Sequence, residues 1–293
     1  MESAITDIRL LTPADLEGAF ALSSTAGWNQ RPADWRMLLR LAPHGSYAAV
    51  DEGRIVGTAI GIDYGTFGWI AMMLVDPVYR GRGLGARLLE AAMGAVPAET
   101  PIRLDATPLG RPLYQRYGFV EEEVLTRHVA GADRRRGRDA ALHRGSVREP
   151  SDADLGSVAD LDREVFGADR RTLLEWSHGT ESQYAWVAQN GPERGYCFGR
   201  EGRLFDQIGP VIAPDDEAAQ ALVAAALIAA GDRPVIVDAF DTHARFASWL
   251  GGAGFVAQRP LFRMARPAPG APVAARTRRG ALAEFAIFGP EFA

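Results

Sequence analysis

The chain contains no lysine: all 32 basic residues are arginine, set against 37 acidic residues for a net charge of −5. Any group transferred to a lysine in a purified sample must therefore land on another molecule. This charge balance gives no global pull toward nucleic acid. The one basic run, Arg134, Arg135, Arg136 and Arg138, lies among glycines and alanines and reads as a solvated linker. Cysteine is nearly missing as well. Cys197 stands alone, which excludes an internal disulfide and a zinc cluster of several cysteines. His44, His128, His143, His178 and His243 show no metal-ligand spacing, so no metal is expected. No Gly-x-Ser-x-Gly elbow occurs. No apolar run is long enough to cross a bilayer, and Glu2 and Asp7 argue against an export signal. The expected setting is cytoplasmic, with neither membrane nor nucleic acid as partner.

What the chain does have is a repeat. Ile8-Arg9-Leu10-Leu11-Thr12-Pro13-Ala14-Asp15-Leu16 opens the first half, and Val147-Arg148-Glu149-Pro150-Ser151-Asp152-Ala153-Asp154-Leu155 opens the second. Further on, Gly118-Phe119-Val120 is matched by Gly254-Phe255-Val256, and each phenylalanine is followed eight residues later by an arginine, Arg127 or Arg263. So long a period means two similar domains rather than a solenoid. The expected division is 1–129, a basic linker over 130–145, a second domain over 146–266, and a tail over 267–293. Phe285, Ile287, Phe288 and Phe292 are too apolar for a free end. They are expected to dock on the body or on a partner chain, so monomer and homodimer both stay open.

The first half reads as a strand near 6–10, helices over 13–24 and 32–42, and strands near 46–51, 54–62 and 67–75. A glycine-rich loop and helix follow, then a strand at 102–105, a short helix near 110–117 and strands around 119–128. This order gives an α/β (α+β) class: two tandem domains, each a mixed, mostly antiparallel twisted sheet flanked by helices.

The glycine-rich loop carries the chemistry. Gly81, Gly83 and Gly85 remove Cβ atoms where a helix begins, so unpaired N–H groups and the helix dipole converge on one spot suited to a phosphate. Arg80 and Arg82 add guanidinium forks. Gly81-x-Gly83-x-x-Ala86 also fits a dinucleotide fingerprint, with Asp105 where a ribose-binding acid would stand. Against that, Asp76-Pro77-Val78-Tyr79-Arg80 separates the strand from the first glycine, whereas a dinucleotide turn follows its strand almost directly.

Arg80-Gly81-Arg82-Gly83-Leu84-Gly85 resembles motif A of the GNAT superfamily of N-acetyltransferases, Gln/Arg-x-x-Gly-x-Gly/Ala. The phrase from Leu104 to Tyr114, Leu-Asp-Ala-Thr-Pro-Leu-Gly-Arg-Pro-Leu-Tyr, is similar to bacterial two-domain acetyltransferases of the YitH type. The likeness is strong through residue 128 and weak after 146. It implies acetyl-CoA as co-substrate, with Arg80, Gly81, Arg82, Gly83, Leu84, Gly85 and Ala86 on its pyrophosphate. It implies the backbone of Met73, Leu74 and Val75 on its pantetheine arm, as in an oxyanion hole. Thr107 stands where the family often has asparagine, and Gly110 where it has alanine. Tyr114 is retained, as a cofactor contact and as the general acid for the departing thiolate. A base must also act, because removing a proton from an alkyl ammonium at pH 7 costs roughly 4–5 kcal/mol. Asp105 is the first candidate. Trp28, Asn29, Asp63 and Tyr64 are candidates for the acceptor site, with Gln30 and Trp35 beside them. The implied activity is direct transfer of an acetyl or other acyl group to a small-molecule or peptide amine. Its rivals are an acyl-CoA sensor without turnover and a nicotinamide-dependent oxidoreductase.

In the second half the loop's counterpart is Glu217-Ala218-Ala219-Gln220-Ala221-Leu222, with neither glycine nor arginine, and Asp215, Asp216 and Glu217 begin the helix. Carboxylates there satisfy the helix dipole themselves and repel a pyrophosphate. Leu250 takes the place of Tyr114, and the segment with His243 is three residues longer. The second domain is expected to bind no coenzyme A at this place.

Overall fold

The computed structural model describes residues 7–132, 146–188, 195–270 and 282–292. The arginines of the basic run lie outside them. Each half opens in the same way, as the repeat requires. Strand β1 (Asp7–Leu10) leads through a 3-10 turn into helix α1 (Leu16–Thr25), and β7 (Val147–Arg148) leads through another into α5 (Leu155–Phe166). In both turns one carboxylate ties the strand to the helix. Asp15 accepts from the Thr12 N–H and hydroxyl and from both terminal nitrogens of Arg9 at 2.7 Å; Asp154 does the same with Ser151 and Arg148. The arginine, helped by these hydroxyl and amide donors, holds each carboxyl below the usual carboxylate range. A carboxylate depressed in the folded state stabilises it above its unfolded pKa, and the contribution is lost as pH falls. Asp15→Ala and Asp154→Ala are each expected to cost about 1 kcal/mol at neutral pH. The deficit, followed by urea unfolding, should shrink below about pH 4.

The first half continues with α2 (Pro32–Leu41), β2 (Ser46–Asp51), β3 (Arg54–Asp63), β4 (Gly68–Val75), α3 (Leu84–Gly94), β5 (Ile102–Ala106), α4 (Arg111–Arg116) and β6 (Val120–Ala130). The second has α6 (Arg171–Glu181), β8 (Trp186–Ala188), β9 (Tyr196–Arg200), β10 (Asp206–Ala213), α7 (Asp216–Ala229), β11 (Val235–Phe240), α8 (Ala244–Gly252) and β12 (Val256–Arg266). Strands buried on both faces, such as β3 with Ile55, Val56, Ala59, Ile60 and Ile62 inside, read as near-continuous apolar runs because helices cover the sheet above and below.

All described strands join one 13-stranded sheet in the order β1-β2-β3-β4-β5-β12-β6-β11-β13-β10-β9-β8-β7. Within this sheet the two halves interleave. β12, from the second half of the chain, pairs with β5 of the first, and β6, from the first, pairs with β11 of the second. The two exchanged strands lie against each other at the centre. The repeated arginines found in the sequence sit on these strands and reach across. Arg127 of β6 clasps Asp238 of β11 at 2.7 and 2.7 Å, and Arg263 of β12 clasps Asp105 of β5 at 2.6 and 2.9 Å. One apolar core runs through both halves, with Trp35 and Trp69 of the first in the same cluster as Phe166 and Tyr196 of the second.

The tail forms β13 (Ala283–Ala286) between β10 and β11. Phe285, Ile287, Phe288 and Phe292 are each at most 1% exposed. Residues 271–281 of the tail lie outside the described residues.

Candidate active site

Strands β4 and β5 run parallel, but only Gly68↔Ile102 and Trp69↔Arg103 are paired; beyond Trp69 they part. The break coincides with a bulge in β4, where the register against β3 shifts between Thr58 and Ile60. Met72 sits at the bulge with φ +50°, a left-handed conformation that costs a non-glycine residue about 1–2 kcal/mol. The Thr58 hydroxyl donates to the Met72 carbonyl at 2.7 Å, which satisfies a group that the ladder has dropped. Past the bulge, no strand among the described residues pairs with the β5-facing side of Met73, Leu74 and Val75. A thioester arm can lie there against strand backbone that no neighbouring strand pairs, with the Val75 carbonyl already taken by Arg80.

The glycine loop closes the open end. Gly81 and Gly83 have φ of +77° and +76°, and a Cβ added to either would meet nothing within 4 Å. Gly83 is the residue that starts α3, and no side chain caps it, so the first amides of α3 face outward. The Arg80 Nε donates to the Val75 carbonyl at 3.0 Å, drawing its guanidinium to the mouth of the gap, while the Arg82 guanidinium lies 5.5 Å from the Tyr79 ring centre. Neither arginine has a carboxylate partner among the described residues. A cradle of amides with two uncommitted guanidiniums fits a pyrophosphate.

Tyr114 lies on α4, 7% exposed, edge-on to Phe119 at 5.9 Å and in one apolar cluster with Met73 and Val75. Burial pushes its phenol above the ordinary value near 10, so it keeps its proton throughout the neutral range. The Thr107 hydroxyl accepts the Gly110 N–H at 3.2 Å and so tethers the start of α4. A Cβ at Gly110 would come within 3.0 Å of the Tyr114 ring. Glycine at this position leaves room for the tyrosine ring against its own turn.

Several expected site residues are occupied elsewhere. Asp105 is wholly enclosed and both its oxygens are taken by Arg263; burial raises its pKa and the guanidinium counters this. It is a strand-locking group in this geometry and has no lone pair turned to a substrate. Asn29 serves the second half. Its amide donates to the Phe205 carbonyl at 2.9 Å, and its oxygen accepts from the Leu204 and Phe205 N–H groups. The Trp28 carbonyl takes Arg203. Asp63 caps its own turn at Gly65, and the Tyr64 hydroxyl donates to the Phe292 carbonyl at 3.1 Å with its ring against Phe67 and Phe166. Trp28, Asn29 and Tyr64 thus bind segments of the second half, while Asp63 stays exposed on its own turn.

One open space lies at the end of β4. A cleft of about 640 Å³ runs between α1, the β2–β3 turn and the end of β4. Gly18 and Leu22 of α1, Glu52 and Arg54 of the turn, and Leu74, Val75, Asp76 and Arg80 line it. Leu74 and Val75 are shared with the parted edge. Sequence reasoning missed this cleft: Gly18, Ala21 and Thr25 recur at helical spacing on α1, but the same small residues also allow close packing, as Gly18 does against Ile55.

In the second half the parallel pair is again two residues long, Asp206↔Val235 and Gln207↔Ile236. There the gap is filled by β13, and the helix start is capped: the Asp215 carboxylate accepts the Ala218 N–H at 2.8 Å. Among the described residues no helix is long and apolar enough to cross a membrane, and no group of three His, Cys, Asp or Glu could hold a metal ion.

Two family models match, each described as an acetyltransferase (GNAT) domain, one over residues 43–121 and one over 158–277. The chain is 29% identical over 254 residues to the uncharacterized N-acetyltransferase YitH of Bacillus subtilis (strain 168), covering 82% of this chain and 84% of that protein. A putative acetyltransferase from Pyrococcus horikoshii superposes with a TM-score of 0.73 at 22% identity, over 99% of this chain and 98% of that one. A tandem GNAT protein from the clavulanic acid biosynthesis pathway gives 0.60 at 14% identity, over 92% and 99%.

Proposed function

Because the chain belongs to the GNAT acetyltransferases and carries the domain twice, we propose that its first half binds acetyl-CoA and transfers the acetyl group directly to an amine. The observation that carries this reading is the uncapped, left-handed glycine loop at the end of a strand that has parted from its neighbour. Bound there, acetyl-CoA supplies an activated acyl group. Arg80, Gly81, Arg82 and Gly83, with the amides of Leu84, Gly85 and Ala86, hold its pyrophosphate, and the backbone of Met73, Leu74 and Val75 holds its arm. Tyr114 keeps a proton ready for the departing sulfur. The acceptor enters by the cleft over α1, where Asp15 is neutralised by Arg9 and Asp76 lies against Arg54, so that Glu17 and Glu52 supply the negative charge that favours a cationic amine. The second half, with its capped helix and filled gap, binds no coenzyme.

Calorimetry with acetyl-CoA tests the binding, and release of free thiol against a panel of amines tests the transfer. One site per chain and amine-dependent thiol are expected; two sites, or none, would overturn the reading. Tyr114→Phe is expected to lower kcat by about 10²-fold with KM for acetyl-CoA unchanged. One observation favours a second reading. The enclosure of Asp105, the first candidate base, suits a non-catalytic acyl-CoA sensor, for which acetyl-CoA binds and no amine releases thiol.

A further inference from the structure

The two gaps in the sheet are equivalent by the repeat, and only the second is filled by a strand. Three features of the second half fit that strand. Gly209 stands in β10, in the segment where the register against β9 shifts, as Met72 stands at the bulge of β4. Its φ is +147°, and a Cβ there would meet the Ile287 carbonyl oxygen at 1.9 Å. No other residue type admits the tail at this point. The Ile287 N–H donates to the Asp238 carbonyl at 3.1 Å, so the tail uses the exposed edge of β11 as well as that of β10. His243, in the segment lengthened by three residues, donates from Nε2 to the Glu284 carbonyl at 3.1 Å and stacks on Phe285 with ring centres 3.9 Å apart. The extra residues and the histidine that the transferase reading leaves unused thus both serve the tail.

The same segment runs on into the first half. The Trp69 indole N–H donates to the Pro290 carbonyl at 3.1 Å, and the Tyr64 hydroxyl donates to that of Phe292. Trp69 is the last paired residue of β4 before the strands part. Glu291 binds Arg200, which lies 2.9 Å from Asp34 of α2.

We infer that residues 282–292 are the resident occupant of a relic thioester slot in the second half, and that from this seat they position Trp69 at the closed end of the working slot in the first, where its strands begin to part. The kinetic part rests on the acetyl-CoA reading above; the seating of the strap does not. The test uses the full chain with a protease site inserted between Ala275 and Arg276, cut after folding. Fragment 276–293 is expected to stay bound through gel filtration. It should leave about tenfold faster from Gly209→Ala or His243→Ala bodies. With the strap removed, the indole N–H resonance of Trp69, assigned by Trp69→Phe, should lose its hydrogen-bonded shift. A synthetic peptide of residues 282–293 should restore it. Acetyl-CoA should still bind at one site with unchanged affinity, while kcat for the best amine falls about tenfold and recovers with the peptide. A fragment that leaves the unsubstituted body at once overturns the slot. An unmoved Trp69 resonance overturns the positioning role. Absence of acetyl-CoA binding before cutting overturns only the transferase reading, since the fragment and resonance measurements stand without it.

Discussion

Gly83→Glu is expected to abolish acetyl-CoA binding while the circular dichroism of the protein stays unchanged. Two effects act at one residue. The backbone there has φ +76°, which costs any side chain about 1–2 kcal/mol relative to glycine. The new carboxylate would also stand at the start of α3, the point to which its free amides and dipole are directed. The second half shows what such a group does: at the start of α7, Asp215 accepts the Ala218 N–H and the anion site is closed from within. Micromolar binding corresponds to about −8 kcal/mol, and losing half of that moves Kd to the millimolar range. Gly83→Ala separates the two effects, because it brings the strain without the charge, and it is expected to weaken binding about tenfold. Calorimetry reads both. Equal affinities for wild type and Gly83→Glu would remove the loop from the coenzyme site.

Asp105→Ala is expected to destabilise the whole molecule by about 3–5 kcal/mol, because it leaves the Arg263 guanidinium buried without its carboxylate. Arg263 is 2% exposed and also lies over the Trp69 and Phe240 rings, so it has no route to water. Since β12 is shared between the halves, urea unfolding should remain a single transition by fluorescence and circular dichroism alike. The paired replacement Asp105→Leu with Arg263→Met removes both charges and should recover most of the loss. A single variant within about 1 kcal/mol of wild type, or a transition split in two, would show that the exchanged strands are not locked by these ion pairs.

Much of this molecule was legible in the sequence because the signals were local. The glycine spacing at 81–85 and the carboxylates at 215–217 each depend on neighbours within a helical turn. The repeat aligned Arg127 with Arg263 and Asp105 with Asp238. It could not show that each arginine binds the other half's aspartate, because both partnerings satisfy the same alignment and only the exchange of β6 and β12 decides between them. The partners of the acceptor candidates were out of reach for a related reason. Asn29 and Tyr64 are polar groups whose partners lie in distant segments, residues 204–205 and 292, which local pattern does not bring together. The apolar residues of the tail marked it as buried without naming the slot that holds it.

An interleaved sheet of this kind has the plan of a two-fold dimer that traded one strand with its mate. Joined into one polypeptide, the mates meet at an effective concentration set by the connecting residues, in the millimolar range or above for a short flexible link. Dilution cannot part them, and neither can uneven synthesis. A half without the glycine loop is therefore always produced beside the one that has it. Cutting the gene between them would yield a first half whose β5 edge awaits a strand that no longer exists.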